Sequence, residues 1–384
     1  MYNPQEKRNS NHRNPCRLSF IYGISFLFIS VFILPGCWLR SGSDAKNDKK
    51  SRKDVLVLLP SPGNPRNSEG DFITLKDGRI LFVYSHYTGS SGDDHGNAFL
   101  AGRYSSDNGE TWTGDDVRIV EQEGKMNVMS VSLLRLQNGE IALFYLRKNS
   151  VTDCIPMIRI SKDESVTWSE PLACITDREG YFVLNNNRVI QLHNGRLLFA
   201  VARHQSPGEK NASDIGQIWS YYSDDNGQTW KSGMEAGNPS GIATQEPGLA
   251  ELKNGDILMF LRTRSGVQYF SYSKDKGETW SNVKPGNIKS PCSPASIVRI
   301  PSTGDLLLVW NDNGADQKRT PLNIAFSKDE GNTWSNEKIL KDNPEGVYCY
   351  PAVQFADNYI LLNYSDWSTM GSTIMKIDLH WVYN

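Results

Sequence analysis

Apolar residues in this chain fall in short, unbroken runs, each opened by a tight polar turn. Six copies read alike: Leu75–Tyr84 (LKDGRILFVY), Leu136–Tyr145 (LQNGEIALFY), Leu192–Val201 (LHNGRLLFAV), Leu252–Leu261 (LKNGDILMFL), Pro301–Trp310 (PSTGDLLLVW) and Phe355–Tyr364 (FADNYILLNY). Asp-Gly and Asn-Gly between apolar runs are strong hairpin signals, because these residues accept the positive φ that a two-residue turn demands. The runs are continuous rather than alternating, which predicts strands buried on both faces. No stretch carries the period of a long amphipathic helix.

A second motif alternates with the first. It reads Ser105–Trp112 (SSDNGETW), Ser161–Trp168 (SKDESVTW), Ser223–Trp230 (SDDNGQTW), Ser273–Trp280 (SKDKGETW) and Ser327–Trp334 (SKDEGNTW), and its closing tryptophans lie 56, 62, 50 and 54 residues apart. A recurrence at about 50 residues marks a repeat architecture. In each octamer the Asp can accept from backbone N–H groups of its own turn, the Gly supplies φ > 0, and the Trp folds back onto the sheet. Two hairpins per repeat make four strands. Six such units predict an all-β fold: a six-bladed β-propeller of four-stranded blades with Asp-box hairpins. The sixth unit has its first hairpin but no Asp-box, so its outer strand must come from elsewhere. Val55–Leu59 (VLVLL) is the candidate to close the ring, which makes 54–384 one domain.

The N-terminal segment stands apart. Lys7, Arg8, Arg13 and Arg17 precede the apolar run Leu18–Leu34, and Leu34-Pro35-Gly36-Cys37 follows. A basic stretch, an apolar stretch and small residues describe an export signal. The last four residues resemble a bacterial lipobox, so residues 1–37 are expected to be a lipoprotein-type signal peptide with lipidation at Cys37. Residues 38–53 form a polar tether. The expected location is outside the cytoplasm, periplasmic or at the cell surface, with the membrane reached only through the lipid. The formal net charge of −2, with no basic stripe, excludes a nucleic-acid surface. Four cysteines remain, Cys154, Cys174, Cys292 and Cys349; in an exported chain they allow three pairings, which sequence does not choose between. No spacing suggests a metal site, and a closed ring needs no partner subunit, so a monomer without cofactor is expected.

Polar residues at the entrances of the first strands are those that face a propeller axis. The segment Thr244–Leu252 carries Glu246, and the strand after its hairpin ends in Arg262. This pattern resembles the exo-sialidases, which also carry Asp-boxes on a six-bladed propeller. The resemblance implies that Glu246 polarises a nucleophile and that Arg262 clamps a substrate carboxylate. It implies the same clamp role for Arg319, upstream of the last Asp-box, and the nucleophile's place for Tyr350 in Gly346–Val353 (GVYCYPAV). A planar guanidinium suits a carboxylate because it offers two parallel hydrogen bonds. A phenol suits an anomeric carbon that bears a carboxylate, because an anionic nucleophile would be repelled. By the same resemblance Asp94, in Gly92–Gly96 (GDDHG), stands where sialidases keep an acid/base aspartate, with Asp93 an equal chemical candidate. Arg188, after three asparagines, is a further candidate for binding sugar hydroxyls or an acid.

One departure matters. Sialidases open with Arg-Ile-Pro about ten residues before the first hairpin glycine; here Ser68-Glu69-Gly70 stands in that place, with Arg66 near but out of register. The expected function is an exported, sialidase-like retaining glycoside hydrolase acting on a terminal sugar of a glycan, an acidic one in the first instance. Two alternatives stay open: a non-catalytic glycan-binding propeller, and a propeller enzyme of other chemistry such as a polysaccharide lyase, for which His86, His95, His193 or His204 could act as base.

Overall fold

The computed structural model describes residues 51–384. The signal segment, Cys37 and nearly all of the tether lie outside the described residues. The described residues are strands and loops apart from the short helix Leu379–Tyr383, capped by the Asp378 carboxylate.

Each apolar run forms the second strand of an antiparallel sheet, and the residues before its turn form the first. The first sheet runs Asn67–Thr74, Ile80–Tyr87, Ala98–Ser105 and Val117–Val120 in sequence order. Thr244–Glu251, Ile257–Thr263, Val267–Ser273 and Lys284–Lys289 make another, as do Ser296–Arg299, Leu306–Asn311, Leu322–Ser327 and Ser335–Lys341. Between these lies a nine-stranded sheet. It holds two repeats joined where Tyr181 pairs in parallel with Cys154, beside its antiparallel pairing to Gln205. The third repeat's first strand is interrupted: Tyr181–Val183 and Ile190–Gln191 both pair with Leu197–Gln205, and Asn185, Asn186 and Asn187 lie between them. In the last sheet Tyr348–Ala356, Tyr359–Asp366 and Gly371–Asp378 are followed by Arg52–Leu58. That strand begins before Val55, inside the expected tether, because Arg52 and Lys53 already pair with Ile377 and Lys376.

The turns have the predicted chemistry. Gly78, Gly139, Gly195 and Gly255 sit at φ between 84° and 93°. In the Asp-box at Ser273, the Asp275 carboxylate accepts from Thr279 N at 2.8 Å and from the Ser273 hydroxyl at 2.7 Å, while Ser273 Oγ accepts from Gly277 N at 2.8 Å. Lys276 and Gly277 both have positive φ, the pair required by the tightest hairpins. The second box lacks the glycine, and Glu164 and Ser165 adopt the same region at 59° and 68°.

The boxes also dock one repeat on the one before it. A Cβ at Gly277 would lie 2.5 Å from Leu198, one at Gly227 2.5 Å from Ile158, and one at Gly109 2.6 Å from Leu361 of the last sheet. Trp280 Nε1 donates to Ser220 Oγ of the preceding repeat at 2.8 Å. Apolar clusters bridge the same seams: Phe72 and Phe82 pack with Ala352 and Leu361, and Leu198 and Ala200 with Leu249 and Met259. Burial of both sheet faces explains why the apolar runs are unbroken. Cys154, Cys174, Cys292 and Cys349 are all free thiols.

Candidate active site

In five of the six first strands a non-glycine residue sits in the left-handed region: Glu69 (φ 56°), Ser130 (60°), Asn187 (56°), Glu246 (48°) and Tyr350 (56°). Four of these coincide with breaks in strand register, at Ser68/Asp71, Met129/Ser132, Gln245/Gly248 and Cys349/Ala352. A bulge with positive φ re-aims one side chain, and such strain persists only when neighbours hold it. Asn186 Nδ2 donates to Gly70 O at 2.9 Å and to Tyr350 O at 3.1 Å, tying the first and last repeats to the third. Asp71 accepts from Leu133 N, from Phe72 N and from Asn187 Nδ2 at 2.8, 2.8 and 2.9 Å.

The bulges bring Glu69, Glu246 and Tyr350 to one cavity of about 510 Å³, which Asp94, Lys148 and Arg262 also line. Tyr350 donates its phenol hydrogen to Glu246 Oε1 at 3.4 Å, and Arg262 Nη1 ion-pairs with Glu246 Oε2 at 2.8 Å. Arg262 is held in turn by two hydrogen bonds to Gln245 Oε1, at 3.0 and 2.6 Å. Burial pushes the Tyr350 phenol well above its ordinary range and Glu246 adds to this, while Arg262 and Arg319 work against it. Such a phenol is neutral until a base takes its proton, and Glu246 is the base in reach.

Arg319 does not line this cavity; its guanidinium lies 6.0 Å from the Tyr350 ring centre and 5.4 Å from that of Trp367. Its Nη2 donates to Cys292 O at 3.1 Å, and Nη1 is buried without a partner. Arg188 is buried close enough to Glu246, Arg262 and Tyr350 for their charges to act on it, though it is not among the residues lining this cavity. Its side chain lies in a second, smaller one of about 270 Å³, against Phe260 and in the space left by the missing side chain of Gly248.

The departure in the first strand has a structural answer. Arg66 reaches the site after all: it is 2% exposed, with Tyr87 and Trp367 rings 4.6 and 4.9 Å from its guanidinium. It pairs with Glu69 at 3.0 Å and with Asp94 at 2.5 Å. Burial works to raise the Asp94 carboxyl, but Arg66 overcomes this and holds it below the usual range. Asp94 rather than Asp93 lines the cavity; Asp93 accepts from Ser91 Oγ on the surface. Of the histidines, His95 and His204 line it. His86 pairs with Asp116 and His193 with Glu251 elsewhere.

Sequence reasoning missed Lys148 and Asn127, which pin the Asp94 loop: Lys148 Nζ and Asn127 Nδ2 both donate to Asp94 O, at 2.6 and 2.9 Å. It left open whether Glu69 pairs with an arginine, and Arg66 is that partner. The signal was present in the repeat itself, since Glu69, Ser130 and Glu246 each stand nine positions before a hairpin glycine, at 78, 139 and 255.

The family of the BNR repeat-like domain matches residues 121–362. The chain belongs to that family, within the sialidase superfamily. A sialidase of Micromonospora viridifaciens is 29% identical over 219 residues, 50% of this chain and 32% of that enzyme, so the match spans about a third of the relative's length. Among solved structures, a protein of unknown function from Dyadobacter fermentans superposes with a TM-score of 0.68 at 18% identity, covering 86% of this chain and all of the other. A leech intramolecular trans-sialidase, complexed with 2,7-anhydro-Neu5Ac, gives 0.68 at 16% identity and covers 86% and 70%. These likenesses establish a BNR-type all-β fold consistent with a β-propeller.

Proposed function

We propose that this BNR protein is an exported, retaining glycoside hydrolase of the sialidase type, removing a terminal acidic sugar from a glycan. The observation that carries the reading is the Tyr350–Glu246 contact in the cavity wall, with Arg262 on the other oxygen of the same carboxylate. In the first step Glu246 takes the phenol proton as Tyr350 Oη attacks the anomeric carbon. Asp94 gives a proton to the departing glycosidic oxygen from its protonated form, which Arg66 keeps to a small fraction near neutral pH, so turnover is expected to rise toward acid pH. In the second step ionised Asp94 takes a proton from water, which attacks the same carbon, and the phenol leaves with the proton held by Glu246. Arg262 and Arg319 hold the sugar's carboxylate. Six blades in a ring, the last completed by Arg52–Leu58, is the architecture that goes with this reading. Export and lipid anchoring at Cys37 belong to it as well.

The test is turnover of the chain on aryl glycosides: an aryl sialoside, an aryl glucuronide and neutral aryl hexosides. Release from an acidic glycoside, reduced at least 10³-fold in Tyr350→Phe, is the expected result. Silence on every glycoside, with sugar binding unchanged in Tyr350→Phe, overturns catalysis in favour of a glycan-binding propeller, a reading favoured by the commitment of Arg66 to Glu69 and Asp94.

A further inference from the structure

Four charged or titratable side chains line the second, smaller cavity: Arg188, His193, Glu251 and Arg299. Three of them are paired. His193 Nδ1 lies 2.7 Å from Glu251 Oε2, and Arg299 Nη2 lies 2.7 Å from Glu330 Oε2. Arg188 is the exception. Among the described residues its guanidinium makes no ion pair and no hydrogen bond, and its Nε is buried without a partner. The whole residue is only 3% exposed. Burial pulls the guanidinium down to about 10, with Glu246 opposing, so it keeps its charge at neutral pH. Glu246 does not close the account, because Tyr350 holds one of its oxygens and Arg262 the other. A buried cation without a counterion is costly.

The wall beside this cation is apolar. Phe260 lies 5.3 Å from the guanidinium, and Leu249, Ile297 and Leu306 line the same space. His193, whose side chain is 84% exposed, also lines it, which places one end of the cavity at the surface.

We propose that this second cavity binds a small monocarboxylate with a short alkyl tail, the carboxylate on Arg188 and the tail against Phe260, Ile297 and Leu306. A planar guanidinium takes a carboxylate through two parallel hydrogen bonds, and nothing else claims the donors of Arg188. An inorganic anion would satisfy the charge but leave the apolar wall uncovered. At about 270 Å³ the cavity falls below the range of drug-sized ligand pockets, which limits the tail to a few carbons. Gly248 keeps the site open: a Cβ there would lie 2.4 Å from Arg188 Nη1 and 2.4 Å from the Phe260 ring. Glu251, the one carboxylate on the lining, is engaged by the His193 backbone N at 3.0 Å and by its ring. This cavity shares no lining residue with that of Tyr350 and Glu246, so the site does not depend on the hydrolase reading.

Calorimetric titration of the full chain with acetate, propionate and butyrate tests the site, with propionamide as an uncharged isostere and chloride as an anion without a tail. Affinity should rise about three- to fourfold for each added CH₂. Propionamide should not bind, and Arg188→Met should weaken butyrate by about tenfold or more. In crystals soaked with butyrate, density should bridge Arg188 and Phe260. The proposal is overturned if none of the three carboxylates binds, if chloride or propionamide matches butyrate, or if the butyrate density lies anywhere but beside Arg188. Should Arg188→Met fail to fold, the wild-type titrations and the soak decide between these outcomes.

Discussion

Arg66 sets the charge state of one end of the cavity from a position no ligand needs to touch. Removing its charge in Arg66→Met takes away the cation that holds Asp94 below the ordinary carboxylate range. The Asp94 carboxyl then rises, so the basic limb of the kcat/KM profile moves to higher pH; an unmoved limb would remove Asp94 from the proton-transfer role. Asp71 makes a separate prediction about stability. Burial pushes its carboxyl up to about 7, against the opposing pull of the Leu133 and Phe72 amides and of Asn187. An unfolded aspartate titrates near ~3.9, so over the window between the two values the folded state binds the extra proton. The stabilisation from this group is therefore complete below about pH 4 and is lost as pH rises through about 7. Urea midpoints should decline across that window, and Asp71→Asn should remove much of the decline.

At the scale of the element, the Asp-box is a closed set of hydrogen bonds on a turn with two positive-φ residues. Ser273 is buried, donating to Asp275 and accepting from Gly277 N. Ser273→Ala leaves that amide without an acceptor and should cost about 1–3 kcal/mol of unfolding free energy, read from denaturant midpoints. Gly277→Ala is harsher, because the new Cβ meets Leu198 at 2.5 Å and φ is 91°. It loosens a seam between repeats as well as a turn. The motif's second copy shows how much of this was legible from residue types. A missing glycine would argue against the turn, yet Ser165 takes its place because Ser161 Oγ still accepts from Ser165 N at 2.8 Å. The hydrogen bonds, more than the glycine, define the box.

Across the whole molecule, the strand Arg52–Leu58 ties distant parts of the chain together. It pairs along Gly371–Asp378, Lys341 reaches Asp54 at 2.7 Å, and Lys53 and Lys376 both bind Glu110 of the first Asp-box. Deleting residues 51–58 uncovers the edge of the last sheet, and an unpaired edge of that kind recruits other chains. The expected result is a lower Tm and association detectable by light scattering. A truncated chain that stays monomeric at unchanged Tm would show the strand to be an accessory.

The repeats were legible because their chemistry is local: turn residues, the Asp-box hydrogen bonds and unbroken apolar runs all act over fewer than a dozen positions, and they announce an all-β repeat wherever the chain is read. Glu246, Arg262 and Tyr350 were found because residue type and order survive in sequence. Which of these side chains meet was a different matter. Glu246 and Tyr350 stand 104 positions apart, and their contact depends on two bulges that sequence spacing hints at but does not aim. Arg188 carried the right chemistry and borders a second cavity next to the first, beside Glu246, Arg262 and Tyr350. Arg66 stood out of register in sequence, and a guanidinium on a flexible stem reached the site from there. Sequence alone determined the units and the inventory of groups. Only the tertiary structure decided how charge is shared among them, because burial and pairing are set by contacts that no local pattern encodes.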